Sequence, residues 1–252
     1  MAATTMRPTA SLIGLGRDLR SGLASAGRVD IDDPVTGARV AVATPAGDVA
    51  LWRRYLDGAR AVYHAHGVGA ALDHDAVVDG GDTTVFFAIV DDDDVCRGGL
   101  RVQGPYGRVD ETHALHEWAG SPGRDDLVRA IGCRLDDGIV ETKTAWVDPA
   151  VDDSAAAADL LARMALPILV VTGARHLMAT SADHSLRRWT SSGGRIDESV
   201  RATHYPDERY RTRLMWWDRD TLDRTAGPGV VATMRREVEL LAERVDRAAV
   251  AA

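Results

Sequence analysis

Residues 83–102 read TTVFFAIVDDDDVCRGGLRV, and no other stretch of the chain restricts its fold as much. The β-branched and aromatic run Thr83–Val90 is too apolar for a sheet edge and predicts a central strand. Asp91–Asp94 is too polar to continue it. The run lacks the spaced ligands and glycine of a calcium loop, so it reads as a solvated turn. Val95–Val102 then returns as the partner strand of a hairpin. Gly98 and Gly99 inside it predict a bulge or a close backbone approach.

Around this hairpin, strands and helices alternate. Leu12, Ile13, Leu15, Leu19 and Leu23 predict an amphipathic helix over Ser11–Ala26, behind an unstructured tail at residues 1–9. A turn at Asp33-Pro34 and Gly37 leads to a strand at 39–45. Asp48 is placed to cap a helix whose face is Leu51, Tyr55, Ala59 and Val62. Short helices are expected at 112–119 and 125–133, a strand at 138–147, and a helix at 153–165 that Pro167 kinks or ends. A strand at 176–181, a short helix at 185–191 and a strand at 209–218 follow. Val231, Met234, Val238, Leu241 and Val245 give the terminal helix at 229–248 its apolar face. This order predicts an α/β (α+β) fold with a mixed, mostly antiparallel central sheet, helices on both faces, and additional N- and C-terminal helices. The expected division is a tail and helix at 1–37, a main domain at 38–220 and a C-terminal helix at 221–252. That last helix packs on the domain or on a partner subunit, so a homodimer is open.

Composition narrows the function classes. The net charge of −8, from 30 Lys and Arg against 38 Asp and Glu, argues against a nucleic-acid partner. Two cysteines, Cys96 and Cys133, make no disulfide framework and suit a reducing compartment. The N-terminus lacks the apolar core of a signal peptide, and the longest apolar run, at 165–172, is too short to span a bilayer. A cytoplasmic protein with no membrane partner is expected.

One carboxylate breaks the pattern. Residues 138–149 read GIVETKTAWVDP, with Glu141 inside an otherwise apolar, β-branched run. Alternation puts Glu141, Lys143 and Ala145 on one side of the strand. A half-buried Glu141 could serve as a base, with Lys143 pairing with it; the plain alternative is a solvent-facing Glu/Lys ladder. Arg101, after two glycines, could grip a substrate carboxylate, or could face solvent. Trp146 and the pair Trp216-Trp217 could line an acyl tunnel, though strand tryptophans are more often core. His113, His116 and Glu117 offer zinc-like spacing without a third ligand, so no metal is expected. Asp183, His184 and Ser185 are adjacent in sequence, which is not how triads are built.

The element order from about 38 to 218 resembles the acyl-CoA N-acyltransferase (GNAT-like) superfamily. Val147-Asp148-Pro149 is similar to the end of that family's fourth core strand, and 185–196 (SLRRWTSSGGRI) to its late helix and turn. GGLRVQGP (98–105) and VETKTAWV (140–147) are similar to two strands of the autoinducer-synthase and N-acyl amino acid synthase branch, with Asp75, Asp79 and Asp82 near its acidic loop. The resemblance implies transfer of an acyl group from a thioester, carried by coenzyme A or an acyl carrier protein, to a small-molecule amine such as an amino acid. It implies Glu141 as base, Tyr210 or Tyr205 as general acid, and Arg101, Lys143, Trp146, Val147 and Trp216 as substrate contacts. Backbone amides near Trp146 and Val147 would face the oxyanion. Two departures stand out. Thr144 occupies the place of that branch's strand arginine. The segment 148–161 (DPAVDDSAAAADLL) has no glycine loop and carries carboxylates at 148, 152 and 153, which repel a pyrophosphate. They weigh against coenzyme A and for a carrier-protein donor. The alternative is a non-catalytic metabolite- or protein-binding module with a degenerate cofactor site.

Overall fold

The computed structural model describes residues 12–72 and 74–251; the tail expected at 1–9 lies outside them. Helix α1 (Leu12–Ala26) ends at Gly27, whose φ of 73° turns the chain into strand β1 (Arg28–Asp32). β1 pairs antiparallel with β2 (Arg39–Ala43), which no pattern in the short, charged RVDID led one to expect. Asp48 caps α2 (Val49–Ala65) by accepting from the Leu51 N–H at 2.9 Å, and the helix buries Leu51, Trp52, Tyr55, Leu56 and Ala59. After the short α3 (His74–Val77) comes the hairpin of β3 (Thr83–Val90) and β4 (Cys96–Gln103). A Cβ on Gly99 would fall 2.4 Å from the Phe87 carbonyl oxygen, so the close backbone approach is real.

Two short helices, α4 (His113–Glu117) and α5 (Arg124–Gly132), lead into β5 (Ile139–Val147). Then come α6 (Ser154–Arg163), α7 (Ala165–Thr172), β6 (His176–Ala182) and α8 (Leu186–Ser191). The two-residue strands β7 (Arg195–Ile196) and β8 (Thr203–His204) both lean on β9 (Arg211–Asp218). The chain closes through α9 (Leu222–Thr225) and α10 (Pro228–Ala251). Pro167 lies in the first turn of α7, where a missing N–H is tolerated, so it marks the start of a new helix. Together Ser154–Thr172 is long and apolar enough to cross a bilayer, but 78% of it is buried inside the protein as a core helix.

The sheet runs β1-β2-β3-β4-β5-β6-β9-β7, with β8 also on β9. Every neighbouring pair is antiparallel except β5 and β6. One face packs against α2, with α4 and α5 farther along it, and the other carries α1, α6, α7 and α10. This is the mixed, mostly antiparallel sheet between helices expected from the sequence. On the α10 side, Arg163 donates to Glu237 at 2.9 Å and Asp33 at 2.5 Å, which ties α6, α10 and the β1–β2 turn in one buried network.

Candidate active site

β5 and β6 pair at only three positions, Ile139 with His176, Val140 with Leu177 and Glu141 with Met178. Beyond Glu141 the two strands part, although β5 continues to Val147 and β6 to Ala182. On its other edge β5 is bulged. Lys143 lies opposite Arg101 and Trp146 opposite Gly99, so Thr144 and Ala145 together oppose Leu100. Thr144 takes a φ of 53°, uncommon for a β-branched residue. Two side chains hold it there. Arg101 Nε donates to Thr144 Oγ1 at 3.2 Å, and the buried Tyr55 hydroxyl donates to the Thr144 carbonyl at 2.6 Å. The bulge also changes which residues share a face. Trp146, and not Ala145, joins Glu141 and Lys143 on the α2 side, while Ala145 and Val147 pack toward the opposite core.

A cavity of about 460 Å³ opens where the strands separate. Its walls draw on Val62 and Tyr63 of α2 and Glu117 of α4 from one face, and on Leu161 of α6 and Trp189 of α8 from the other. Lys143, Thr144, Trp146, Val147 and Thr180 form the parted edges, and Tyr205 and Tyr210 also line it. The indole N–H of Trp146 is buried without a hydrogen-bond partner.

At one end of the cavity sits a lysine between two carboxylates. Lys143 Nζ donates to Glu117 Oε1 and, at 3.2 Å, to Thr180 Oγ1, and it lies 3.7 Å from Glu141 Oε1. Thr180 is on the far side of the split, so Lys143 bridges it. Glu141 is fully buried and sits one layer behind the wall. Its Oε2 accepts from the Tyr106 hydroxyl at 2.9 Å and the His113 N–H at 3.0 Å. Burial pushes the Glu141 pKa above the usual carboxylate range; Lys143 pulls it back and Glu117 adds to the rise. His113 Nε2 lies 3.6 Å from Glu117 Oε1, yet burial and the Lys143 and Arg101 charges push its pKa down to about 2, so it is neutral.

Of the residues singled out in the sequence, Lys143, Trp146, Val147 and Tyr210 line the cavity, and Glu141 backs it. Two others sit elsewhere. Arg101 is buried with both Asp82 oxygens 2.9 Å from Nη1, so its charge is matched within the chain. Of the three expected loop acids, Asp82 is therefore the one that supports this region. Trp216 is a core residue whose indole donates to Asp197 at 3.0 Å and whose ring lies under Arg134, 4.5 Å from its centroid. Glu117, Tyr63 and Thr180 were not anticipated. In the sequence Glu117 stood out only as the neighbour of His116, which with His113 gave the zinc-like spacing; among the described residues no three His, Cys, Asp or Glu converge on such a site.

The approach to α6 is capped by the chain's own carboxylates. Asp153 Oδ1 accepts from the Ala156 N–H at 2.9 Å, and Asp148 Oδ1 from the Ala150 N–H at 2.9 Å. One amide in the first turn of α6, and one in the loop before it, thus already meet a carboxylate of the chain itself.

No family model matches the chain. Uncharacterized protein Rv1356c of Mycobacterium tuberculosis is 44% identical over 209 residues, which span 82% of this chain and 79% of that protein. Its Mycobacterium bovis counterpart, Mb1391c, matches over the same lengths at the same identity. Among solved structures, FeeM, an N-acyl amino acid synthase from uncultured soil microbes, aligns with a TM-score of 0.50 at 15% identity, over 75% of this chain and 99% of its own. BjaI, a CoA-dependent acyl-homoserine lactone synthase, aligns with a TM-score of 0.50 at 14% identity, over 89% and 100%. At these identities the likeness is one of fold, and the fold is the GNAT-like one.

Proposed function

Because this chain belongs to one family with protein Rv1356c of Mycobacterium tuberculosis and carries the GNAT-like fold, we propose that it is an N-acyltransferase. It moves an acyl group from a thioester to the amine of a small molecule. The observation that carries this reading is the split between β5 and β6, which brings a strand bulge, an unpartnered Trp146 N–H and a lysine-bridged carboxylate pair to one cavity. FeeM and BjaI, acyl synthases on the same fold, support it.

The neutral amine attacks the thioester carbonyl. A C–N bond forms, the carbonyl π pair moves to oxygen, and it returns as the C–S bond breaks. Backbone N–H groups of the bulge at Ala145–Val147 stabilise the oxyanion. The proton lost by the amine passes through Lys143 to Glu141, whose burial raises its pKa and so its basicity. Tyr210, on the cavity wall, protonates the leaving thiolate. The balance is amine plus thioester to amide plus thiol.

The donor is a thioester on a phosphopantetheine arm, best supplied by an acyl carrier protein, since the Asp148 and Asp153 carboxylates before α6 would repel a nucleotide pyrophosphate. That same repulsion favours a second reading, a binding module on this fold that has lost catalysis. Mass spectrometry for amide after incubation with an acyl-carrier-protein thioester and an amine panel separates them. The transferase reading expects amide, and Glu141→Gln is expected to lower kcat/KM by about 100-fold or more. It also expects that variant to lose the limb of the pH profile that Glu141 sets above the ordinary carboxylate range. Thioester binding without amide would favour the module.

A further inference from the structure

We infer that the acceptor docks as an ammonium ion on Glu117, between Tyr63 and Tyr205, and that it carries no carboxylate on the carbon beside its nitrogen. This rests on the acyl-transfer reading for what happens next, when the ammonium first releases one proton to solvent and attacks as the neutral amine, but not for the binding itself.

Glu117 lines the cavity, yet its side chain is only 1% exposed. One of its oxygens holds Lys143, while the other, Oε2, is buried with no hydrogen-bond partner. A buried carboxylate oxygen left unpaired is costly and rare, so a donor from outside the chain is expected to meet it. Charge says what kind. The cluster holds two carboxylates, Glu117 and Glu141, against one lysine, and His113 is neutral. One positive charge is missing. Tyr63 and Tyr205 line the same cavity, and the Glu117 charge helps push both phenols up, Tyr63 to about 12 after the larger effect of burial. A buried carboxylate in a cavity that two phenol rings also line is a setting that recognises an ammonium.

The same wall disfavours a carboxylate beside that nitrogen. Of its lysine and arginine side chains among the described residues, Lys143 is held by Glu117 and Thr180, and Arg188 donates to Asp159 at 2.7 Å. Lys143 is thus held within the chain and the Arg188 charge already faces a carboxylate, while Glu117 and Glu141 would repel an acceptor's α-carboxylate. The acceptor class is therefore an alkyl amine, amino amide or amino sugar, and not a free α-amino acid.

Titration calorimetry on the full chain at about pH 7, with n-butylamine, leucinamide and leucine as ligands, tests this without any donor. Leucinamide and n-butylamine are expected to bind at least about tenfold tighter than leucine. Glu117→Gln, nearly isosteric and checked for folding by its melting temperature, is expected to weaken n-butylamine by about tenfold or more. Leucine binding as tightly as leucinamide, undiminished binding to Glu117→Gln, or no binding of any amine overturns the inference. If amines bind through Glu117 but no thioester yields amide, the inference stands and the acyl-transfer reading falls.

Discussion

Lys143 holds together two carboxylates that would otherwise repel each other across the split in the sheet, so removing it does more than delete a cation. Lys143→Met leaves Glu117 and Glu141 buried without the cation between them, which costs about 3–5 kcal/mol for a broken buried pair. The loss is expected to grow with pH. Without Lys143, whose charge lowers the Glu141 pKa, the buried Glu141 carboxyl favours the protonated form still more strongly in the fold than in the open chain. The variant's stability is therefore best below the ordinary carboxylate range and falls as pH rises through the raised Glu141 value. Urea melts of both proteins at about pH 5 and pH 8 would show a larger gap at the higher pH; an equal gap would mean the cluster carries no net repulsion. Side-chain identity made Glu141 and Lys143 legible in the sequence, because a charged pair inside an apolar strand contradicts its own pattern. Arg101 and Glu117 were not legible. Arg101 meets Asp82 from the loop before β3, and Glu117 meets Lys143 from a five-residue helix. No periodicity encodes such contacts.

Among the elements, β5 is the one whose irregularity makes the site. Its bulge turns Trp146 onto the face where α2 crosses, and Gly58 of that helix gives the ring room. A Cβ there would fall 2.1 Å from Trp146 Cη2. Gly58→Ala gains about 1 kcal/mol of helix propensity, but overpacking against a buried indole costs about 1–3 kcal/mol. The net expectation is a lower denaturation midpoint; a higher one would show that Trp146 yields freely. On the opposite face, Glu237 of α10 is buried beside Arg163 and Asp33, and burial pushes its pKa to about 7. With the folded value above the unfolded one, this residue's contribution is full below about pH 4.5 and is lost as pH rises to about 7 and beyond. Glu237→Gln removes that titration. Its stability relative to the parent chain is expected to improve by roughly 3 kcal/mol between pH 4 and pH 8, read from chemical denaturation. A constant difference would contradict the burial account. Long elements such as β3 and α10 announced themselves by pattern. β1, β7 and β8 did not, because two to five residues with charged members carry too little alternation and gain their place only by pairing.

For the molecule as a whole, the order of elements was enough to point to a mixed sheet with helices on both faces, since one apolar hairpin among interleaved helices leaves few other solutions. The cavity was not readable in the same way. It depends on how soon a parallel pair separates, which is set by the bulge on one edge of β5 and by the packing of α4 on the other side. What the whole molecule can be asked is whether this gap joins an amine to a thioester without help from a nucleotide. The direct measurement is amide formation from one alkyl amine with three donors sharing one acyl group: acyl-pantetheine, acyl-coenzyme A and acyl carrier protein. Amide is expected from all three, with acyl-coenzyme A no better than acyl-pantetheine because the Asp148 and Asp153 carboxylates before α6 disfavour a pyrophosphate there, and with the carrier protein best. No amide from any donor, with the thioesters left intact, would contradict the reading of the β5–β6 gap as an acyl-transfer site.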